Sequence, residues 1–75
     1  MLYQIWPPSP ITGKDCGVWL LNDEHQSILS IPYDAENTDY IAFKTNINDK
    51  SAQLETNAEV LMTPDEAIAY VATLP

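Results

Sequence analysis

A chain of 75 residues has room for one domain and one modest core, which disfavours two-lobed architectures and deeply buried cofactors. Eleven acidic residues against three lysines and no arginine give a net charge of -8. Without the bidentate guanidinium fork, and with only the scattered Lys14, Lys44 and Lys50, direct nucleic-acid binding and docking on an anionic membrane are both disfavoured.

Cys16 is the sole cysteine and His25 the sole histidine, so neither an intrachain disulfide nor a Cys/His zinc site can be assembled within one chain. No staple and no cofactor are therefore expected. A domain of this size buries only about 60% of the surface its unfolded chain exposes, which makes stability marginal unless a partner adds to it. No apolar run approaches the ~18 residues of a transmembrane helix, and the N-terminus lacks the basic flank of a signal peptide, so synthesis in the cytoplasm is expected.

In chain order, residues 2–6 (Leu-Tyr-Gln-Ile-Trp) are rich in β-formers and are stopped by Pro7, Pro8 and Pro10, which lack amide donors. This predicts a short strand leading into a Pro-rich arm at 7–17. Two further strands, 18–21 and 27–31, flank the polar run Asn22-Asp23-Glu24-His25-Gln26, a loop that suits an antiparallel hairpin. Pro32 ends the second.

Asn37 then offers a helix cap with Asp39 in the first turn, and Tyr40, Phe43 and Ile47 recur on one helical face. The spacing predicts a helix over 38–48, stopped by Asn48 and Asp49 with a left-handed asparagine as the cap. Residues 52–62 read as a small second hairpin around Thr56-Asn57-Ala58. Thr63-Pro64-Asp65-Glu66 is a capping box with proline at the first helical position, predicting a helix over 64–73 with Ala67, Ile68, Val71, Ala72 and Leu74 as its apolar stripe. The fold expected is α+β, a single domain over 1–75 with a small antiparallel sheet packed by two short helices.

Candidate chemistry is sparse. Oxygen ligands at Asp34, Glu36, Asn37 and Asp39 suggest a calcium loop, but Asp39 stands where that loop needs glycine and Thr45 where it needs a bidentate glutamate. Helix capping accounts for them instead. Cys16 and His25 lack a third orienting group and a glycine-built oxyanion site, so they read as a buried structural cysteine and a solvated loop histidine. No spacing singles out a catalytic pair of carboxylates, and the chain is expected not to be an enzyme. Trp19 is assigned to the core. Tyr3, Trp6, Pro7, Pro8, Pro10 and Ile11 form a stiff apolar segment that loses little entropy on docking, and they are the candidate partner-binding residues, together with an apolar face of the sheet.

The stretch Ile31-Pro32-Tyr33-Asp34-Ala35-Glu36-Asn37-Thr38-Asp39-Tyr40 resembles an I-P-x-D-x-x-N-x-D-Y phrase found in small proteins of the tail and tail-fibre gene regions of tailed bacteriophages. Many of those proteins continue into a polar Gly/Pro-rich tail, whereas this chain continues to the capped helix at Thr63. The resemblance implies a virion component with other protein subunits as partners, as a homo-oligomer or a mixed assembly, and carries over no catalytic residues. The alternatives are a capsid decoration protein and an acidic inhibitor that mimics the phosphate array of nucleic acid.

Overall fold

The computed structural model describes all 75 residues. Four strands, β1 (Leu2–Ile5), β2 (Gly17–Leu21), β3 (Ser27–Pro32) and β4 (Gln53–Glu55), form one sheet in the order β3-β2-β1-β4, with helices α1 (Thr38–Asn48) and α2 (Pro64–Val71). The α+β class and both helices agree with the sequence reading.

The wholly antiparallel sheet does not. β1 pairs antiparallel with β2, and β2 with β3, but β4 runs parallel to β1. The reason is connectivity. Each element reverses the one before it, so after β3 the chain returns along α1 and re-enters the sheet in the direction of β1, on its far side. The second hairpin over 52–62 exists in reduced form: β4 turns at residues 56–59, and the return arm is a single antiparallel bridge between Glu55 and Leu61.

Period-two alternation places Tyr3, Ile5, Val18, Ile31 and Leu54 on one face of the sheet, where Tyr40, Phe43 and Ile47 of α1 and Ala67 and Val71 of α2 close over them. Tyr3 meets Phe43 edge-on at 4.8 Å between ring centroids, and its hydroxyl accepts from Asn46 Nδ2 at 3.1 Å. Trp19 is not in this core. It falls between Val18 and Leu20, on the opposite face, because neighbouring strand residues point to opposite sides.

Local chemistry sets the helix ends. The Asn37 side chain accepts from Tyr40 N at 3.1 Å, as its cap role requires. At the other end the left-handed residue is Lys50 (φ 64°), not an asparagine. Lys50 N reaches Ile47 O and Ser51 N reaches Asn46 O, the paired bonds of a Schellman closure, and these impose the left-handed position one residue past the Asp49 cap. The Thr63 capping box is complete, with Glu66 N on Thr63 Oγ1 at 3.2 Å and Thr63 N on Glu66 Oε1 at 3.0 Å. α2 stops at Val71 rather than 73, where the Thr73 hydroxyl takes the Tyr70 carbonyl at 2.7 Å and the last turn tightens. Ala72 is consequently exposed rather than part of the buried stripe.

The two sheet edges are defended differently. β3 is the longest strand and carries no charge, but its register jumps so that Ile28 has no partner, a bulge that leaves this side chain 60% exposed. Bulge and Pro32 together leave only Leu29, Ser30 and Ile31 as regular edge, which blunts it for pairing with another strand. β4 is three residues long and partly covered by the Leu61 bridge.

Candidate functional site

Residues 6–16 join β1 to β2 as a closed loop rather than a loose arm. Trp6 N donates to Gly17 O at 2.9 Å, Ser9 N to Lys14 O at 3.0 Å and Gly13 N to Ser9 O at 2.8 Å, with Gly13 in the left-handed region (φ 69°) that lets the tip turn. Ile11 stands at that tip, 93% exposed, flanked by the exposed Pro10 and Thr12. Pro7 and Pro8 are exposed along the rising limb.

The structure thus divides the six residues of the sequence reading. Pro7, Pro8, Pro10 and Ile11 share one exposed protrusion. Tyr3, 3% exposed, is withdrawn into the core by strand alternation, and its ring cannot meet a partner in this fold. Trp6 occupies a third position, at the base of the loop. Its ring lies over Gly17, so close that a Cβ there would come within 2.8 Å of Trp6 Cε3 and Cη2, and it neighbours Trp19 at 6.2 Å between centroids. The indole Nε1 is buried without a hydrogen-bond acceptor.

Nor is the outer face of the sheet a bare apolar surface. Two loops of the same design bend over it. In Asn22–Gln26 the Asn22 side chain accepts from Glu24 N and Gln26 N, and His25 is left-handed (φ 62°). In Thr56–Val60 the Thr56 hydroxyl accepts from Ala58 N and Val60 N, and Glu59 is left-handed (φ 63°). The two left-handed residues face each other, His25 Nδ1 lying 3.9 Å from Glu59 Oε1.

His25 is an exposed loop residue, as expected, but its imidazole is held in place. Its Nε2 sits 2.5 Å from Oε1 of Glu55, and the same oxygen accepts from Gln4 Nε2 at 2.9 Å. Glu55 is only 5% exposed, a buried carboxylate satisfied by two donors from elements far apart in sequence. Nothing local to Glu55 signals this role. The Asp34 carboxylate of the acidic stretch accepts from Glu36 N at 3.0 Å, a turn-forming use that leads the chain to the Asn37 cap.

The descending limb of the loop forms a cleft of about 760 Å³ with the residue after β3 and the end of α2, lined by Thr12, Lys14, Asp15, Cys16, Tyr33 and Tyr70 and closed by Thr73 to Pro75. Inside it runs a chain of hydroxyls. Tyr70 donates to Asp15 Oδ2 at 2.8 Å, and the Tyr33 and Tyr70 oxygens are 2.9 Å apart. Since Tyr70 spends its proton on Asp15, Tyr33 is the donor to Tyr70.

Both phenols hold their protons well above the ordinary range, first because burial disfavours the phenolate and also because the Asp15 carboxylate is near. Cys16 is exposed in the same cleft rather than buried, because it lies on the loop just before β2 and outside the core, its thiol directed to Lys14 O at 3.5 Å. The sole thiol and the sole imidazole are thus held in separate hydrogen bonds. Neither tyrosine was distinguishable as a site residue by sequence, since Asp15, Tyr33 and Tyr70 belong to three unconnected segments. No protein-family model, curated protein or solved structure matches this chain.

Proposed function

We propose that this chain is a non-enzymatic adaptor subunit that docks on another protein through the tip of the 6–16 loop. The observation that carries the reading is Ile11, 93% exposed at the end of a loop whose backbone is closed by its own hydrogen bonds. A large apolar side chain fully in water is common; one held out on a proline-stiffened, hydrogen-bonded protrusion loses little entropy on docking. Pro7, Pro8 and Pro10 extend the same protrusion, whereas Tyr3 is core and Trp6 is the anchor of the loop rather than its contact surface.

The assembly we propose is a bacteriophage virion, as part of its tail or tail fibre, with the chain made in the host cytoplasm. The likeness of Ile31–Tyr40 to tail-region proteins supports this finer reading, and the acidic, arginine-free composition is in keeping with a protein partner. The test is incorporation into particles. Wild-type chain should co-sediment with gradient-purified virions, and Ile11→Asp should not, while its circular dichroism and urea midpoint stay those of wild type. A wild-type chain that never co-sediments overturns the virion reading, and an Ile11→Asp chain that incorporates normally overturns the role of the tip.

A further inference from the structure

We infer that the cleft between the loop and the end of α2 receives a positively charged side chain, preferably arginine, from the protein that the loop tip meets. This rests on the adaptor reading, because the cleft lies directly behind the tip: Thr12, Lys14, Asp15 and Cys16 line it, and Ile11 precedes Thr12. The tip alone is too small for a stable interface, which takes roughly 800 Å² from each partner, so a partner seated on it must extend onto the neighbouring surface.

The hydrogen bonds inside the cleft decide what it accepts. Tyr70 directs its proton to Asp15, Tyr33 directs its proton to Tyr70, and Thr73 directs its proton to the Tyr70 carbonyl. The donors of these three hydroxyls are thus used internally. What faces an occupant is their lone pairs, above all those of the Tyr33 oxygen, and the remaining oxygen of the Asp15 carboxylate. The raised proton affinity of both phenols keeps this polarity fixed across the physiological range. An occupant that meets these oxygens brings donors, and one favoured by the Asp15 carboxylate brings positive charge.

A guanidinium does both. Its planar fork can bond a carboxylate and a neighbouring oxygen at once, and it is attracted to the face of a tyrosine ring. A net charge of -8 on the whole chain draws such a group inward. A second copy of this chain is a poor source, since it has no arginine. Two cations stand near the rim: Lys44, whose ammonium is held by Pro75 O at 3.0 Å, and Lys14, which lines the cleft and has no carboxylate partner. It opposes a cationic occupant and would assist an anionic one, which gives the experiment its sign.

The probe is the capped peptide acetyl-Gly-Arg-Gly-amide, titrated into the full chain and followed by amide and tyrosine-ring NMR shifts, with the citrulline peptide and inorganic phosphate as controls. The Arg peptide should shift resonances of Asp15, Cys16, Tyr33 and Tyr70. The citrulline peptide, with the same shape and no charge, should bind at least about tenfold more weakly. Asp15→Asn should weaken Arg binding by a similar factor, and Lys14→Gln should tighten it about two- to threefold. Tyr33→Phe keeps the ring and deletes the hydroxyl, both the acceptor offered to an occupant and the donor to Tyr70, so it should weaken binding even if Asp15→Asn proves unfolded.

Equal binding of the citrulline peptide, or weakening by Lys14→Gln with displacement by phosphate, overturns the proposal. The two readings fail separately. Absence of Arg binding beside an intact Ile11 dependence in particles removes only the cleft, and Arg binding by a chain that never enters particles removes only the adaptor.

Discussion

Gly17→Ala should be the most damaging single-methyl change in the protein, for a reason that can be worked from distances. Gly17 opens β2 opposite Pro32 and has no need of a glycine's backbone freedom; what it lacks is room. A Cβ would stand 2.5 Å from Ile31 O and 2.8 Å from two carbons of the Trp6 ring. Comfortable contacts between such atoms are about 3.5 Å, so roughly 0.7 to 1 Å must be found in two directions.

The Trp6 ring can swing, but Ile31 O belongs to the backbone of the edge strand β3, at its one buried residue, and yields only if the β2–β3 pairing opens. Overpacking of this kind costs about 1–3 kcal/mol, a large share of the stability of a small domain. Urea unfolding followed by tryptophan fluorescence measures both effects: a lower midpoint, and a red-shifted native spectrum as Trp6 leaves Gly17 and its buried Nε1 meets water. Trp6→Ala in the same background removes the ring half of the clash, so the two substitutions together should cost less than their separate sum. A Gly17→Ala protein with unchanged midpoint and spectrum would refute the packing argument and, with it, the role of Trp6 as the anchor of the loop.

Other expectations concern the helix ends and the titrating groups. Thr63→Ala removes the hydroxyl that caps α2 and should cost about 1 kcal/mol by urea titration. Lys50→Gly relieves a left-handed lysine at the Schellman position and should raise the stability by about 0.5–1 kcal/mol, read as a higher urea midpoint. The Glu66 carboxyl is held below its ordinary value by the Thr63 backbone N–H and then the Thr63 side chain. Its contribution is therefore present above the unfolded carboxyl pKa and lost as pH falls through the folded one, so Glu66→Gln should flatten the acid limb of the stability profile.

Tyr33, Tyr40 and Tyr70 are shifted the other way, by burial first in each case. Their contribution is complete below the ordinary phenol pKa near 10 and declines as pH rises beyond it, because the unfolded chain releases those protons first. Alkaline titration should show tyrosinate absorbance rising together with unfolding above about pH 10, and Tyr70→Phe should make the decline shallower.

What could be read before folding, and what could not, follows from the range of each interaction. Both helices were legible because their determinants lie within a few residues: Asn37 three residues before Tyr40, Thr63 three before Glu66, and the Tyr40, Phe43, Ile47 stripe. The three strands 2–6, 18–21 and 27–31 were legible from β-formers bounded by prolines and a polar loop. Tyr3 and Trp19 were misplaced for a reason also visible locally. Alternation puts Tyr3 with Ile5, and Trp19 opposite Val18 and Leu20, so the same period that identified the strands assigns Tyr3 to the core and Trp19 to the outer face.

The parallel β4 and the site residues were beyond such reading, because their partners are set by topology. Gln53-Leu54-Glu55 was legible as one arm of a hairpin, but its parallel place in the sheet was not: it joins β1 because β1 offers a free edge where α1 delivers the chain. Glu55 meets His25 across 30 positions, Tyr33 meets Tyr70 across 37, and Tyr70 meets Asp15 across 55.

These long-range polar bonds also explain why the loop can act as a rigid protrusion. Asp15 on its descending limb is tied to α2, Trp6 on its rising limb is seated on Gly17, and Trp6 N closes on Gly17 O between them. A segment held at both limbs and free only at Pro10 to Gly13 transmits force on its tip to the sheet and to α2 together. A docking residue on such a mount should therefore be separable from the fold, whereas a change at either anchor should loosen tip and cleft at once. On that basis Ile11→Asp alters association alone, and Gly17→Ala alters stability and association together.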